Sequence, residues 1–120
     1  MFRPEEERII NKYKFFHPEK PLSESLMAFG FACDEGWFGI IENMCEKLSK
    51  IVPEDFEILQ VKQKFATLRV YPNIFRDDIE AIINEAETES ETTCEICGSK
   101  EGKLDNTGGW WKTVCTNCEK

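Results

Sequence analysis

No run in these 120 residues approaches the roughly 18 to 20 consecutive apolar residues that a membrane-spanning helix needs. The start, MFRPEEERII, also lacks the apolar core of a secretory signal. A soluble, cytoplasmic chain with no membrane partner is therefore expected. Positive charge is scarce: 15 Lys and Arg stand against 23 Asp and Glu, a formal net charge of −8. Nucleic-acid affinity comes largely from cations that neutralise phosphates and release counterions, so generic nucleic-acid binding starts at a disadvantage. Histidine is reduced to His17 alone, and there is no internal repeat or low-complexity tract.

What is present is enough for one modest core. The chain is 41% hydrophobic and 12% aromatic, with nine Phe and three Trp, so burial can offset chain entropy within a single main domain. Residues 1–24 hold Pro4, Pro18 and Pro21, which interrupt any long element. A short helix over 5–16 and then an N-terminal arm that packs Phe15 and Phe16 on the core are expected. The run Ser25 to Cys33 reads as a buried strand or extended segment.

Trp37, Ile40, Ile41, Met44, Cys45, Leu48 and Ile51 recur at helical spacing and predict an amphipathic helix over about 36–51, with Asp34 as its N-cap and Pro53 beyond its end. Residues 56–72 alternate as a β-hairpin. Leu59, Val61, Leu68 and Val70 would face the core, and Gln60, Lys62, Lys64 and Arg69 the solvent. Phe56 and Ile58 are out of phase with Leu59 and Val61, which calls for a bulge or two-sided burial. A second amphipathic helix is predicted over 74–90, its buried stripe made by Phe75, Ile79, Ile82, Ile83 and Ala86. The segment 74–93 carries most of the net negative charge, and ETESETT marks the junction to the cysteine-rich end.

That end contains CEIC, 17 intervening residues, and CTNC. In a reducing compartment such pairs read as metal ligands, not disulfides. Two residues between cysteines let one turn aim both sulfurs at a single ion, and the longer loop brings in the second pair. Cys94, Cys97, Cys115 and Cys118 are thus expected to hold one structural zinc. Iron in a similar four-thiolate site, or a redox dithiol, suits the spacing too. Gly98 fits the first knuckle, NTGG at 106–109 a turn, and WWKTV at 110–114 a strand. The resulting organisation is an N-terminal arm (1–24), a small helix and β-hairpin α+β domain (25–92) and a C-terminal four-cysteine zinc ribbon (93–120).

Other chemistry has weaker signals. Cys45 lies on the helical stripe as a small buried hydrophobe. Cys33 precedes the helix start, where a dipole can lower a thiol pKa, and a thiol-dependent enzyme using it is one alternative. His17, in FFHPEK, reads as a surface or aromatic-packed histidine. Asp34 and Glu35 read as capping residues before an acid/base pair. Lys62, Lys64 and Arg69, with Phe65 and Tyr71, form the one basic and aromatic surface, and a small nucleic-acid-binding regulator is a second alternative. Asp77, Asp78, Glu80 and Glu85 give the 74–90 helix an acidic face, either solvated or recognised by a partner protein. Trp110 and Trp111 alternate along a strand, so one is expected in the ribbon core and the other either exposed or against the main domain.

Together GFACDEGWFGIIENMCEKL, VKQKFATLRVY, TCEICG and GWWKTVCTNC resemble a family of small uncharacterised proteins of bacteriophage and prophage genomes. Its pattern has CGDGW, a helix carrying a cysteine, VKEKFGGLRFY and a C-terminal zinc ribbon. The likeness covers about residues 28–118, with Ala66 and Thr67 in place of glycines and Glu35 in place of another. It implies a phage accessory protein acting in the host bacterial cytoplasm. The resulting expectation is a non-enzymatic protein that binds a bacterial host or defence-system protein, inhibiting or modulating it, through Asp77, Asp78, Glu80, Glu85, Trp110 and Trp111.

Overall fold

The computed structural model describes residues 3–105, 112–115 and 118. Trp110, Trp111 and the predicted turn at 106–109 lie outside them. Within them the chain is a small α+β fold of three helices, a three-stranded sheet and a two-stranded hairpin.

Helix α1 (Pro4–Lys12) opens on a proline, whose fixed φ and missing N–H suit the first turn. Glu6 reaches back to accept the Arg3 N–H at 2.9 Å and forward to accept the Phe31 N–H at 2.5 Å. Arg3 in turn donates to the Phe31 carbonyl at 2.8 Å. A buried carboxylate is thereby satisfied, and α1 is tied to the sheet. The helix stops at Lys12, short of the predicted residue 16, and the chain beyond it buries Tyr13, Phe15 and Phe16, with an isolated parallel bridge from Phe16 to Ile58.

The segment 25–33 is not one strand. Met27–Phe29 form a 3-10 turn, Gly30 takes φ 70° and only Phe31–Ala32 are extended, as β1. The glycine reverses the chain so that β1 can lie parallel to β2 (Ile58–Lys64).

Helix α2 is Phe38–Leu48, preceded by a 3-10 turn over Glu35–Trp37. It is shorter at both ends than the predicted 36–51. Asp34 makes no side-chain cap bond. Beyond Leu48, Lys50 and Ile51 donate to carbonyls three residues back, the tightening usual where a helix runs out of partners. Of the predicted stripe, Trp37, Ile40, Ile41, Met44, Cys45 and Leu48 are buried, whereas Ile51, beyond the end of the helix, is half-buried.

Strand β2 pairs antiparallel with β3 (Thr67–Pro72), with a register shift between Ile58 and Gln60. The phase clash in the sequence is this bulge. It turns Ile58 inward beside Val61, Leu68 and Val70, and leaves Leu59 half-buried and not in the core. The outer edge of β3 is blunted, since Leu68 donates its N–H to Ser90 Oγ at 2.9 Å and Pro72 has none to offer.

Helix α3 is Asp77–Ser90. Ile79, Ile83 and Ala86 are buried and Ile82 half-buried, but Phe75 precedes the helix and is 75% exposed, against the prediction that it joins the stripe. With the extended Arg76 as the N-cap residue, Phe75 falls outside the helical period. Finally β4 (Lys103–Asp105) and β5 (Lys112–Val114) form the small hairpin of the cysteine-rich end. Among the described residues no helix is long and apolar enough to cross a membrane.

Candidate metal centre

The four cysteines predicted to share an ion converge. One sulfur from each of Cys94, Cys97, Cys115 and Cys118 lies within 4.8 Å of every other, and Cys97 and Cys115 stand 3.7 Å apart. A tetrahedral ion with metal–sulfur bonds of about 2.3 Å has sulfur–sulfur edges of about 3.8 Å. The site therefore has the dimensions to hold a metal ion after closing by about 1 Å at its widest.

Local backbone geometry aims the sulfurs. Gly98, at φ 83°, donates to the Cys94 carbonyl at 2.9 Å and closes the first knuckle; Cys118 donates to the Cys115 carbonyl at 3.0 Å in the second. Burial pushes the Cys94 thiol up, but backbone N–H groups of Cys97, Cys115 and Ile96 outweigh it and hold it at about 6. Crowding against Cys115, together with burial, pushes the Cys118 thiol up to about 12, and Cys97 also moves upward. Thiols so close cannot all ionise unless a cation neutralises them, which is the chemical task of a bound metal.

The centre is docked on the main domain. Gly36 donates its N–H to the Glu95 carbonyl at 2.6 Å, and a Cβ at Gly36 would overlap the Cys94 and Glu95 carbonyls. Asp34 donates its N–H to the Glu95 carboxylate at 3.0 Å, and the buried Trp37 indole N–H donates to the Thr93 carbonyl at 2.9 Å. On the other side Thr113 donates its hydroxyl to the Ala66 carbonyl at 2.8 Å, joining β5 to the turn of the main hairpin. None of these docking residues was singled out from sequence for this role. A fully apolar-striped Trp37 whose N–H needs an acceptor was the one available hint.

The remaining candidates are distributed over other faces. Cys33 is buried beside a cavity of about 420 Å³ whose lining includes Asp34, Glu95 and Lys112. Burial foremost, then Glu95, pushes its thiol upward, away from the thiolate a nucleophile needs. Cys45 is buried in the core and its thiol is likewise raised by burial. His17 pairs with Glu19 at 3.1 Å. Asp78 is held by Arg76 at 2.7 Å and accepts the Ile79 N–H, and Glu85 pairs with Lys47. Asp77 and Glu80 are exposed in the first turn of α3, where the helix dipole favours them. Lys62, Lys64 and Arg69 are brought onto one face: Lys62 stands directly opposite Arg69, and Lys64 opposite Thr67.

Comparison with protein-family models, with curated proteins and with solved structures returned no match.

Proposed function

We propose that this chain is a non-enzymatic accessory protein of the phage type that its motifs resemble, and that it binds a bacterial host or defence-system protein. The observation that supports this reading is the convergence of four protein sulfurs on one candidate metal centre. Four protein thiolates fill the coordination sphere of a tetrahedral ion and leave no position for an activated water, so the metal orders the structure instead of reacting. Zinc is the ion the all-thiolate set suits best. Function then lies on surfaces that the centre and its docking hold rigid.

The surface favoured for a protein partner is the start of α3. Asp77 and Glu80 are exposed and make no ion pair among the described residues, whereas Asp78 and Glu85 are already paired within the chain. Beside them, Phe75 and Tyr71 border a groove of about 170 Å³ that reaches Val70 and Ile83. An aromatic anchor with an acidic rim suits a basic partner surface. Trp110 and Trp111 belong to the same proposed binding role from the sequence alone.

Tagged protein incubated with bacterial lysate is expected to retain one stoichiometric partner. Asp77→Lys with Glu80→Lys is expected to release it at unchanged metal content. Capture of no stoichiometric protein, or capture indifferent to the charge reversal, would sink the reading.

A further inference from the structure

The protein-partner reading touches the solvent face of the main sheet only at Tyr71 and leaves the rest of that face unused. The β2–β3 register puts Gln60, Lys62 and Lys64 on that face with Thr67, Arg69 and Tyr71 opposite them, and Ala32 of β1 beside Lys62. Not one of these residues is acidic, in a chain whose net charge is −8. At the turn, Phe65 is 67% exposed and Tyr71 is 39% exposed near the other end. Four residues of strand, about 14 Å, separate Tyr71 from Thr67 beside the turn.

Each ring has a lysine ammonium near it. Lys62 Nζ lies 5.8 Å from the Tyr71 centroid, and Lys64 Nζ lies 5.6 Å from that of Phe65. Arg69 is held upright by its bond to Thr67 Oγ1 at 3.0 Å, with Glu87 at 3.7 Å on the rim. Phe65 adds a second observation. It and Ala66 both have positive φ, 53° and 69°, a conformation that disfavours a bulky side chain. A strained, exposed phenylalanine gains little from packing, and such outliers concentrate where a side chain is used for binding.

We infer that the β2–β3 face binds single-stranded nucleic acid, with Lys62, Lys64 and Arg69 contacting phosphates and Tyr71 and Phe65 offering rings on which unpaired bases stack. Stacking needs an exposed base face, which a duplex does not provide, and three cations are too few for tight duplex binding. The acidic remainder of the protein repels the backbone, so a bound strand is confined to this face. The face meets the α3 surface at Arg69 and Tyr71, which line the same groove as Glu80, but binding to it does not depend on a protein partner at Asp77 and Glu80.

The test is fluorescence anisotropy of the full chain with labelled ten-nucleotide oligothymidylate, oligouridylate and a duplex of the first, from 50 to 200 mM NaCl. Binding of either single strand in preference to the duplex supports the proposal, and the tighter strand names the polymer. With three phosphate contacts, log affinity should fall against log salt with a slope of about −2. Tyr71→Ala should weaken binding at least about fivefold, and Lys62→Gln with Lys64→Gln should reduce the slope to about −0.7. Asp77→Asn, at the start of α3 and outside the groove that Arg69 and Tyr71 share with Glu80, should leave both unchanged. No binding at 50 mM NaCl, equal affinity for duplex, or indifference to both sheet-face variants would overturn it. So would a protein ligand captured by this face while neither oligonucleotide binds.

Discussion

Gly36 and Glu95 are joined backbone to backbone, N–H to carbonyl at 2.6 Å, across 59 residues of sequence, and this contact seats the first cysteine knuckle on the turn before α2. There is no room at Gly36 for a side chain, because a Cβ would meet the carbonyls of Cys94 and Glu95. Gly36→Ala is expected to cost about 2 kcal/mol of stability through displaced backbone and to weaken metal affinity as the knuckle shifts. Gly39 is the matched control. It lies on the exposed side of α2 with nothing within 4 Å of a new Cβ, so Gly39→Ala should stabilise by about 0.5–1 kcal/mol from helix propensity alone. Urea unfolding of both variants checks the contrast. Similar behaviour of the two would mean that the docking contact contributes nothing.

Metal loading should be stoichiometric and proton-coupled. Cobalt added to the metal-free chain should saturate at one equivalent, with thiolate-to-metal absorption that disappears on Cys94→Ser or Cys115→Ser. The raised Cys97 and Cys118 thiols must lose protons on binding, so affinity should fall as pH is lowered. Removal of the ion by a chelator should loosen the contacts at Thr93 and Thr113 before it loosens α2. Hydrogen exchange at those backbone positions measures the order. Saturation at any other ratio would reject the four-thiolate centre.

How much of this was legible in the sequence follows from the range of each signal. The α2 stripe and the β2 bulge are local periodicities, and each survives because burial of one face enforces it. The cysteine cluster was legible for a different reason: metal-ligand spacing encodes a long-range contact directly. The seat of the knuckle was not, since neither the indole N–H of Trp37 nor the bare backbone of Gly36 reveals that its acceptor lies 56 or 59 residues away. Phe75 was misplaced because an aromatic at helical spacing looks like core until the cap position is known. Trp110 and Trp111 lie outside the described residues, so their expected roles are carried by sequence alone.

The turn between β2 and β3 offers a test of strain. Both central residues have positive φ, the arrangement of a type I′ turn, which favours Asn and Gly. Phe65→Asn should therefore raise stability by about 0.5–1 kcal/mol, because the lost ring is exposed. Ala66→Gly should be nearly neutral. Relief of the positive φ, about 1 kcal/mol, is offset by loss of a methyl group that is 1% exposed, about 0.8 kcal/mol. If the sheet face binds nucleic acid, Phe65→Asn gains stability while losing affinity. Equal stability of Phe65→Asn and wild type in urea would show that the turn is unstrained.

The acid response of the α1–α2 contact has a definite sign. Arg8 grips Glu42 with both terminal nitrogens at 2.8 Å, and Lys12 adds a third cationic contact at 3.4 Å. The bonds from Arg8 outweigh the cost of burial and hold the Glu42 carboxyl at about 2, below its ordinary 4.5. A carboxyl depressed on folding stabilises the protein fully above its unfolded value and loses that contribution as pH falls through its folded one. The Glu42 contribution should thus be intact at pH 7, decline below about 4.5 and vanish near 2. Arg8→Ala should return the Glu42 midpoint, followed by NMR, most of the way to the ordinary range. Its destabilisation should shrink at high salt because the pair is solvent-facing. An unchanged Glu42 midpoint in Arg8→Ala would assign the depression to Lys12 instead.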